Sequence, residues 1–521
     1  MTDNPSAPPG PPEARAVSAG DALPPLVLAL DIGSTSTRAS LYDALARPLK
    51  GRTAKRDHRF TEGADGTAEI DADAVTTEVA DVISRVLAGA PPASVAAVAM
   101  DTFAASLVCV DEGGRALTPC YTYADSRSAP QLAELRAELD ESAVHQAVGA
   151  RLHTSYHAPR LRWLARTRPD VFRATARFVS LGEYAWTRLA GIDAAATSTM
   201  AWTGLLDRHS GDLDADLLAA TGTRRDQFAR IVDPAEATPA ADPATEKRWP
   251  ALAGALWFPA IPDGFASNLG VGATGERVAA LSAATSGALR VVVPGTPEVL
   301  PGGLWAYRVS SAESIVGGAL NDVGRVMTWL ESTLAPVEDR LLDVALRGNP
   351  VAGIPLVLPF LTGERATGWA GNARAVLTGV SSATGAIDLW RGAVEGVAIS
   401  YQRIFDQLRA VDPGLERVIA SGGVTQHYPA TMEVVAQGLG FPVEVVDVKR
   451  VTMRGTAVFA LSVVDPARGR AAVPVSATLD PDPRQRAYYR DLRSRFDAAY
   501  RDVISDPTAD PAVAPERDDP R

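Results

Sequence analysis

The stretch LALDIGSTSTR, Leu28 to Arg38, sets the frame in which the rest of the chain is read. LVLALD, Leu26 to Asp31, is an apolar run of strand length that ends on a carboxylate. IGSTST is a turn of small hydroxyl residues, and RASLYD reads as a returning strand. In such a turn the backbone N–H groups point into one concavity, which suits a phosphate. An aspartate at the strand end can hold Mg2+ directly or through water. A polar hairpin with a surface aspartate has the same local pattern, since small polar residues dominate turns generally. The stretch therefore gains meaning only from what accompanies it.

Half a chain later the layout restarts. VAALSAAT (278–285) reads as a strand, Ser286-Gly287 as a turn and ALRVVV (288–293) as a returning strand. Two similar hairpins imply two related lobes. The expected division is a flexible segment 1–24, an N-terminal lobe 25–272, a C-terminal lobe 273–505 and a flexible tail 506–521. Between the hairpins, Val75, Val79, Val82, Ile83, Val86 and Leu87 recur at helical spacing. Val95–Met100 is a small-residue strand that again ends on an aspartate, Asp101, and helical patterns follow near 130–140 and 157–166. In the second half, Val394 to Leu408 marks a strong helix, RVIASGG (417–423) a strand ending in a Gly pair, and Pro429–Leu439 and Gln485–Val503 two further helices. Strands alternating with helices predict an α/β fold.

Composition narrows the function classes. The 521 residues are 46% hydrophobic and 22% charged, an ordinary globular balance for a multidomain chain. The net charge of -11 disfavours nucleic acid as main partner but leaves room for one bound nucleotide. Cys109 and Cys120 cannot form a disulfide framework, so a reducing, cytoplasmic setting is expected. No apolar run reaches the about 18 residues of a membrane span. The chain lacks Gly-Lys-Ser/Thr, so it has no P-loop. Gly270-Val-Gly272-Ala-Thr-Gly275 has the glycine spacing of a dinucleotide turn but precedes a strand instead of following one. His153 and His157 lack a cysteine or carboxylate cluster for zinc. Asp212, Asp214 and Asp216 read as a solvated loop.

Three more stretches carry chemistry. LSAATSGALR, Leu281 to Arg290, offers a second donor turn at Thr285, Ser286 and Gly287. Two such turns from two lobes would clasp a triphosphate. PDGFASNLG, Pro262 to Gly270, puts Asp263 at a rigid turn before a helix start, where a carboxylate can act as general base, although most Asp-Gly pairs are simply turns. ASGGVTQ, Ala420 to Gln426, has a Gly pair between strand and helix, open to close approach by phosphate or a flat group. A tight strand-to-helix turn is the alternative.

In their order these motifs resemble the FGGY carbohydrate kinase family, from about Leu26 to Tyr500. LALDIGSTSTR is similar to its first phosphate motif, DGFASNLG to its catalytic aspartate segment and TSGALR to its second phosphate hairpin. PFLTGERATGW (359–369), ARAVLTG (373–379) and WRGAVEGVA (390–398) resemble its C-terminal signature, and ASGGVTQ its adenosine motif. The resemblance implies two ribonuclease-H-like lobes, as in actin and hexokinase, around a nucleotide cleft. It implies transfer of the ATP γ-phosphate to a sugar, sugar-acid or polyol hydroxyl. Asp263 would take the hydroxyl proton, and Asp31, with Asp263, would face Mg2+. Gly33, Ser34, Thr35, Ser36 and Arg38 would line the first phosphate site, and Thr285, Ser286 and Gly287 the β/γ region. Gly422 and Gly423 would meet the α-phosphate and adenosine, with Gly318 and Asn321 near the base.

DGFASNLG followed by SAATSGALR most resembles gluconokinase within the family. Glycerol kinase carries an Arg-Glu pair where this chain has Phe103-Ala104, which argues against glycerol. The family's usual Ala-Asp pair in the late helix reads Ala436-Gln437. Substrate candidates are Asp101, Thr102, Phe103, Tyr123, Asp125, Arg127, Arg160 and Asp263, with Arg127 or Arg160 as the cation for a gluconate carboxylate. Xylulose or another pentulose or polyol is the alternative substrate, and a catalytically inactive sugar- or nucleotide-binding protein the alternative of another class. The partners expected are the carbohydrate and ATP, with no nucleic acid or membrane. A homodimer is entertained as the assembly, although no residue speaks to it.

Overall fold

The computed structural model describes residues 13–275 and 277–504. The chain enters its first sheet through β1 (Val27–Ile32), β2 (Ser36–Tyr42) and β3 (Pro48–Asp57), an antiparallel meander. All six residues of β1 are buried, as its continuous Val/Leu/Ala run requires of a strand covered on both faces. Helix α1 (Ala72–Val86) starts on the cap of Asp71, whose side chain accepts from the Ala74 N–H. It buries the Val75, Val79, Val82, Ile83 and Val86 stripe and returns the chain to β4 (Ala97–Thr102), parallel to β1. Short strands β5 (Thr238–Pro239), β6 (Leu256–Trp257) and β7 (Ile261–Pro262) complete a seven-stranded sheet, with β6 and β7 both parallel to β4. Helix α2 (Asp263–Gly270) follows β7 directly.

The second sheet repeats this plan. β8 (Val278–Ala283), β9 (Gly287–Pro294), β10 (Trp305–Arg308) and β11 (Glu313–Leu320) form the antiparallel part. The long helix α3 (Ala386–Val411) leads to β12 (Arg417–Ser421), parallel to β8. Helix α4 (Pro429–Leu439) leads to β13 (Val443–Val446), parallel to β12. α5 (Val451–Val464), the antiparallel edge strand β14 (Val475–Leu479) and α6 (Arg486–Val503) follow. In both sheets the first strand pairs antiparallel with the second and parallel with a strand reached through a helix. This is the ribonuclease-H-like plan, present twice.

Helix α5 departs from that separation of halves. It lies against β1, β4 and α2 of the first half. Its crossing with α2 is backbone on backbone: a Cβ on Gly455 would stand 1.6 Å from the Ala266 carbonyl oxygen, and one on Gly270 would stand 1.9 Å from that of Val451. Trp202, Trp305, Tyr307 and Phe459 share a hydrophobic cluster drawn from both halves.

The segment 13–24, expected to be a flexible lead-in, is instead hydrogen-bonded to the body. The Ala14 N–H donates to Ala472 O, the Lys50 N–H to Val17 O and the Ala44 N–H to Leu23 O, at 2.9, 2.8 and 2.8 Å. Its partners are backbone groups of the first sheet and its loops and of Ala472 near the other end of the chain, which a Pro-rich composition does not reveal. The first twelve residues and the tail expected from 506 onward lie outside the described residues. Asp214, read as part of a solvated loop, caps helix 215–221 by accepting from the Leu217 N–H at 2.8 Å. Cys109 and Cys120 are free and buried, and burial pushes their thiols up to about 11 and about 12. Among the described residues no helix is long and apolar enough to cross a membrane.

Candidate active site

Three carboxylates stand at the carboxyl ends of adjacent parallel strands. Asp31 in β1 is in register with Asp101 in β4, and Asp101 is in register with Ile261 in β7, two residues before Asp263. Asp31 is 7% exposed and Asp101 fully buried, while Asp263 is half-buried at the first position of α2. Arg38 Nη1 lies 3.6 Å from Asp31. Asp101 Oδ2 accepts from Thr456 Oγ1 of α5 at 2.6 Å, whereas its Oδ1 is buried without a partner among the described residues. Asp263 Oδ1 accepts from the Gly264 N–H at 2.7 Å.

The charges follow from this crowding. Burial pushes Asp31 up to about 6, against the pull of Arg38 and with a further push from Asp263. Burial and then the charge of Asp31 hold Asp101 well above the usual carboxylate range. Asp263 is also raised by burial, opposed by Arg290 and by the Gly264 N–H. Asp31 and Asp101 thus favour sharing a proton when no cation stands between them. No group of three or more His, Cys, Asp or Glu side chains among the described residues could hold a metal unaided. The carboxylates of Asp31 and Asp101, the second with an unpartnered oxygen, do fit Mg2+, which would take water and phosphate oxygens as its remaining ligands.

The first turn, Gly33–Ser36, is closed by the Gly33 N–H donating to Ser36 O at 3.0 Å. His58 braces it: one ring nitrogen meets Gly33 O at 2.8 Å and the other Glu78 Oε2 at 2.8 Å, where Thr37 Oγ1 also donates at 3.0 Å. Thr35 is exposed at the tip, while Ser36 is buried and accepts from Arg38 Nε at 3.0 Å. In the second turn, Thr285 and Ser286 are exposed and Gly287 is buried. A Cβ on Gly287 would fall 2.1 Å from the Tyr401 hydroxyl, which donates to Ser282 O at 2.7 Å. Gly422 needs to be glycine: its φ is +120°, and a Cβ would stand 2.2 Å from Ala283 O. Gly423 beside it is exposed.

Two nucleotide-side expectations change in place. Asn321 donates to Thr362 O and Gly363 O at 3.3 and 3.0 Å, so its amide ties down the 359–369 loop. Gly318 lies buried in β11, where the missing side chain admits Ala366 and Ile404. Gln437 accepts from the Asp482 N–H at 2.8 Å and so faces the start of α6.

The substrate-side candidates separate into two groups. Asp101, Phe103 and Tyr123 join the site. Phe60, Phe103 and Tyr123 form an edge-to-face trio with centroids 5.3 to 6.3 Å apart, and burial and then Asp263 raise the Tyr123 hydroxyl. The other four are occupied by the protein itself. Thr102 donates to its neighbour's carbonyl, Phe103 O, and packs on Gly182. Asp125 accepts from the Ala68 and Arg127 N–H groups. Arg127 pairs with Asp125 and Glu69 at 2.6 and 2.9 Å and lies over the Trp163 ring. Arg160 is fully buried and donates to the carbonyl oxygens of Ala105, Thr154 and Ser155.

Sequence reasoning missed the opposite wall. Arg290 of β9 donates to Ser267 Oγ at 3.0 Å and so touches α2 beside Asp263. Trp202 packs on Gly264 and on Tyr307, with ring centroids 4.1 Å apart, and Tyr307 stacks on Trp305 at 4.6 Å. The Tyr307 hydroxyl bonds that of Tyr156 at 2.6 Å. Arg290 was visible as the arginine of the second hairpin. The aromatic residues carry no shared spacing signal, because Tyr156, Trp202 and the Trp305–Tyr307 pair come from three separate segments.

The duplicated plan, with acidic strand ends in one half and a glycine turn in the other, has counterparts. The FGGY family of carbohydrate kinases matches by its N-terminal domain over residues 26–270 and by its C-terminal domain over 285–463. The chain belongs to this family. This FGGY kinase is therefore a phosphotransferase acting on a carbohydrate. It is 25% identical over 418 residues to a gluconokinase of Bacillus subtilis, covering 76% of this chain and 80% of that protein. A gluconate kinase from Lactobacillus acidophilus superposes with a TM-score of 0.85 at 20% identity, covering 92% of this FGGY kinase and 98% of that chain. A xylulose kinase from the same organism superposes with a TM-score of 0.86 at 21% identity, covering 92% and 99%. The ribonuclease-H-like lobes of this kinase are those of the actin and hexokinase type of fold.

Proposed function

We propose that this kinase transfers the γ-phosphoryl group of ATP, with Mg2+, to a hydroxyl of a sugar acid, gluconate. Asp263 is the observation that carries the reading. It is half-buried, raised by its surroundings, bound among the described residues only to its own helix N-terminus and set beside Asp31 and Arg290. Such a carboxylate accepts the hydroxyl proton as the oxygen attacks phosphorus. Phosphoryl transfer asks the protein for positioning and charge neutralisation more than for covalent chemistry. In this reading Gly33, Ser34, Thr35 and Ser36, steadied by His58, meet the transferred phosphate together with Arg38. Thr285, Ser286 and Gly287 meet the β/γ region, and Gly422 and Gly423 the α-phosphate and adenosine. Asp31, with Asp263 as expected and Asp101 beside it, would hold Mg2+, which would supply neutralisation of phosphate charge. The sugar lies between the Phe60–Phe103–Tyr123 trio and the Trp202–Tyr307 wall.

Gluconate is favoured by the named activity of the B. subtilis relative. A pentulose is the second reading, favoured by the L. acidophilus xylulose kinase. ATP consumption by the purified chain with gluconate, xylulose, glycerol and neutral hexoses separates them. Gluconate should give the highest kcat/KM, by about tenfold or more. A clear preference for xylulose would overturn the sugar-acid assignment while leaving the kinase intact.

A further inference from the structure

A turn that meets phosphate must present N–H groups and keep its carbonyl oxygens away, because carbonyl and phosphate oxygens are both acceptors. The first turn is built this way. The N–H groups of Ser34 and Thr35 have no hydrogen-bond partner among the described residues, so two donors stay free at its tip. Three of its carbonyl oxygens are engaged. Ser36 O accepts from the Gly33 N–H at 3.0 Å, Thr35 O from the His58 N–H at 3.0 Å and Gly33 O from the His58 ring at 2.8 Å. One residue, 25 positions beyond Gly33, therefore holds two of the three.

His58 is the first residue after β3, and the pairing of Asp57 with Ser36 brings that strand end to the turn. Its side chain is only 6% exposed. The second ring nitrogen meets Glu78 Oε2 of α1 at 2.8 Å, and the same oxygen accepts from Thr37 Oγ1 at 3.0 Å. A carbonyl and a carboxylate both accept, so the ring donates on both sides and has no lone pair left for acid–base work. Glu78 rides on a helix fixed by its buried Val75, Val79 and Val82 stripe, and the ring is clamped between that helix and the turn. The second turn is held differently, since Thr285 O accepts from the backbone N–H groups of Val323 and Arg325.

We propose that His58 is a positioning residue for phosphoryl transfer: it pins the Gly33 and Thr35 carbonyls outward, with Glu78 orienting its ring, and so keeps the Ser34 and Thr35 N–H groups aimed at the transferred phosphoryl group. The proposal rests on the phosphate reading of this turn. Fixed donors count most where charge develops in the transition state. A misplacement of about 1 Å can cost on the order of 10²-fold in rate. ADP lacks the transferred group and should not register the change.

The test uses the full-length protein with ATP and the sugar that the wild type phosphorylates fastest. Glutamine can place an amide N–H where Nε2 stands, and asparagine where Nδ1 stands. His58→Gln thus keeps the donor to Gly33 O, whereas His58→Asn keeps the contact to Glu78 and loses the turn. In His58→Asn kcat should fall roughly 10- to 100-fold. In His58→Gln it should fall by about threefold, with the unfolding temperature lowered by the same few degrees in both. Affinity for ADP with Mg2+ and aluminium fluoride, a mimic of the phosphoryl group in flight, should drop with kcat, while affinity for ADP alone stays within about twofold. Glu78→Ala, a change on the half-exposed side of α1, should lower kcat about tenfold with the same split between the two affinities. Equal losses in His58→Gln and His58→Asn overturn the proposal, as does a parallel weakening of ADP alone or a wild-type kcat in Glu78→Ala. A wild type that phosphorylates no sugar and binds ADP no better with aluminium fluoride removes the phosphate reading of the turn, and the proposal with it, before any variant is compared.

Discussion

The two hairpins share a frame and differ in charge. In the first half, β1 and its parallel neighbour β4 bring Asp31 and Asp101 into register. In the second half, β8 and its parallel neighbour β12 bring Ser282 and Ser421 together, followed by Gly422. The first turn is braced by His58 and Glu78, with an arginine on the returning strand facing an aspartate of its own hairpin. The second is braced by backbone, with the Val323 and Arg325 N–H groups donating to Thr285 O at 3.2 and 3.1 Å. Its arginine, Arg290, reaches out of the hairpin to α2 of the other half. One topology thus supports a crowded acidic end, suited to a cation and a proton, and a neutral end open to close approach by a nucleotide. Duplication supplies equivalent strand ends, and the side chains placed there divide the labour.

The largest effect should come from the acidic end. Asp263→Asn should cut kcat about 10²- to 10⁴-fold, the usual worth of a general base, with KM for ATP and the unfolding temperature nearly unchanged. In the wild type kcat/KM should fall as pH drops, because the working form is ionised and the group is raised above the ordinary range. A variant retaining more than a tenth of the rate at every pH would remove Asp263 from the chemistry.

The corresponding break at the neutral end is Gly422→Ala. With φ at +120° and Ala283 O at 2.2 Å from the new Cβ, the turn cannot keep its shape. About 1–3 kcal/mol of destabilisation should follow. KM for ATP should rise well beyond that for the sugar. Isothermal calorimetry with a nonhydrolysable ATP analogue reads the nucleotide side directly, and unaltered affinity would mean that the turn does not meet it.

Asp31→Asn sharpens the contrast, since it should inactivate and stabilise together. The folded-state carboxyl is raised to about 6, so its favourable contribution is present below about pH 4 and is lost as pH rises through 6. Removing the charge should therefore leave stability similar near pH 4 and increase it by about 1–3 kcal/mol at pH 8. Chemical denaturation at both pH values checks the sign, and a variant less stable than wild type at pH 8 would contradict it.

The smallest effect belongs to a residue outside both ends. Arg127→Ala should cost about 1 kcal/mol through its partly exposed ion pairs and its packing on Trp163. KM for either substrate should not move. A selective rise in KM for gluconate would return Arg127 to the substrate.

Much of this organisation was legible in the chain itself. Asp31, Asp101 and Asp263 each stand at the end of an apolar run or at a helix start, a local pattern that gains meaning only from the order of the motifs around it. The hairpins were readable because apolar strands and small-residue turns are local features. Helix α5 was not. Its sequence VTMRGTAVFALSVV is buried on more than one face, so it lacks the polar stripe that announces a surface helix. The roles of Arg127 and Arg160 were equally hidden, since a sequence lists charges without their partners.

By itself the sequence determined the repeated α/β plan, the small-residue turns and the charged side chains at the strand ends, because strand period, turn chemistry and side-chain type are local. Only the tertiary structure decided which of those charges remain available. It placed Thr456 on one oxygen of Asp101 and left the other bare among the described residues, and it filled Arg127 and Arg160. The physical reason is that an ionic or hydrogen-bonding group is defined by what neutralises it, and folding brings those partners from next door, as with Asp125 on Arg127, or from the far end of the chain, as with Thr456 on Asp101.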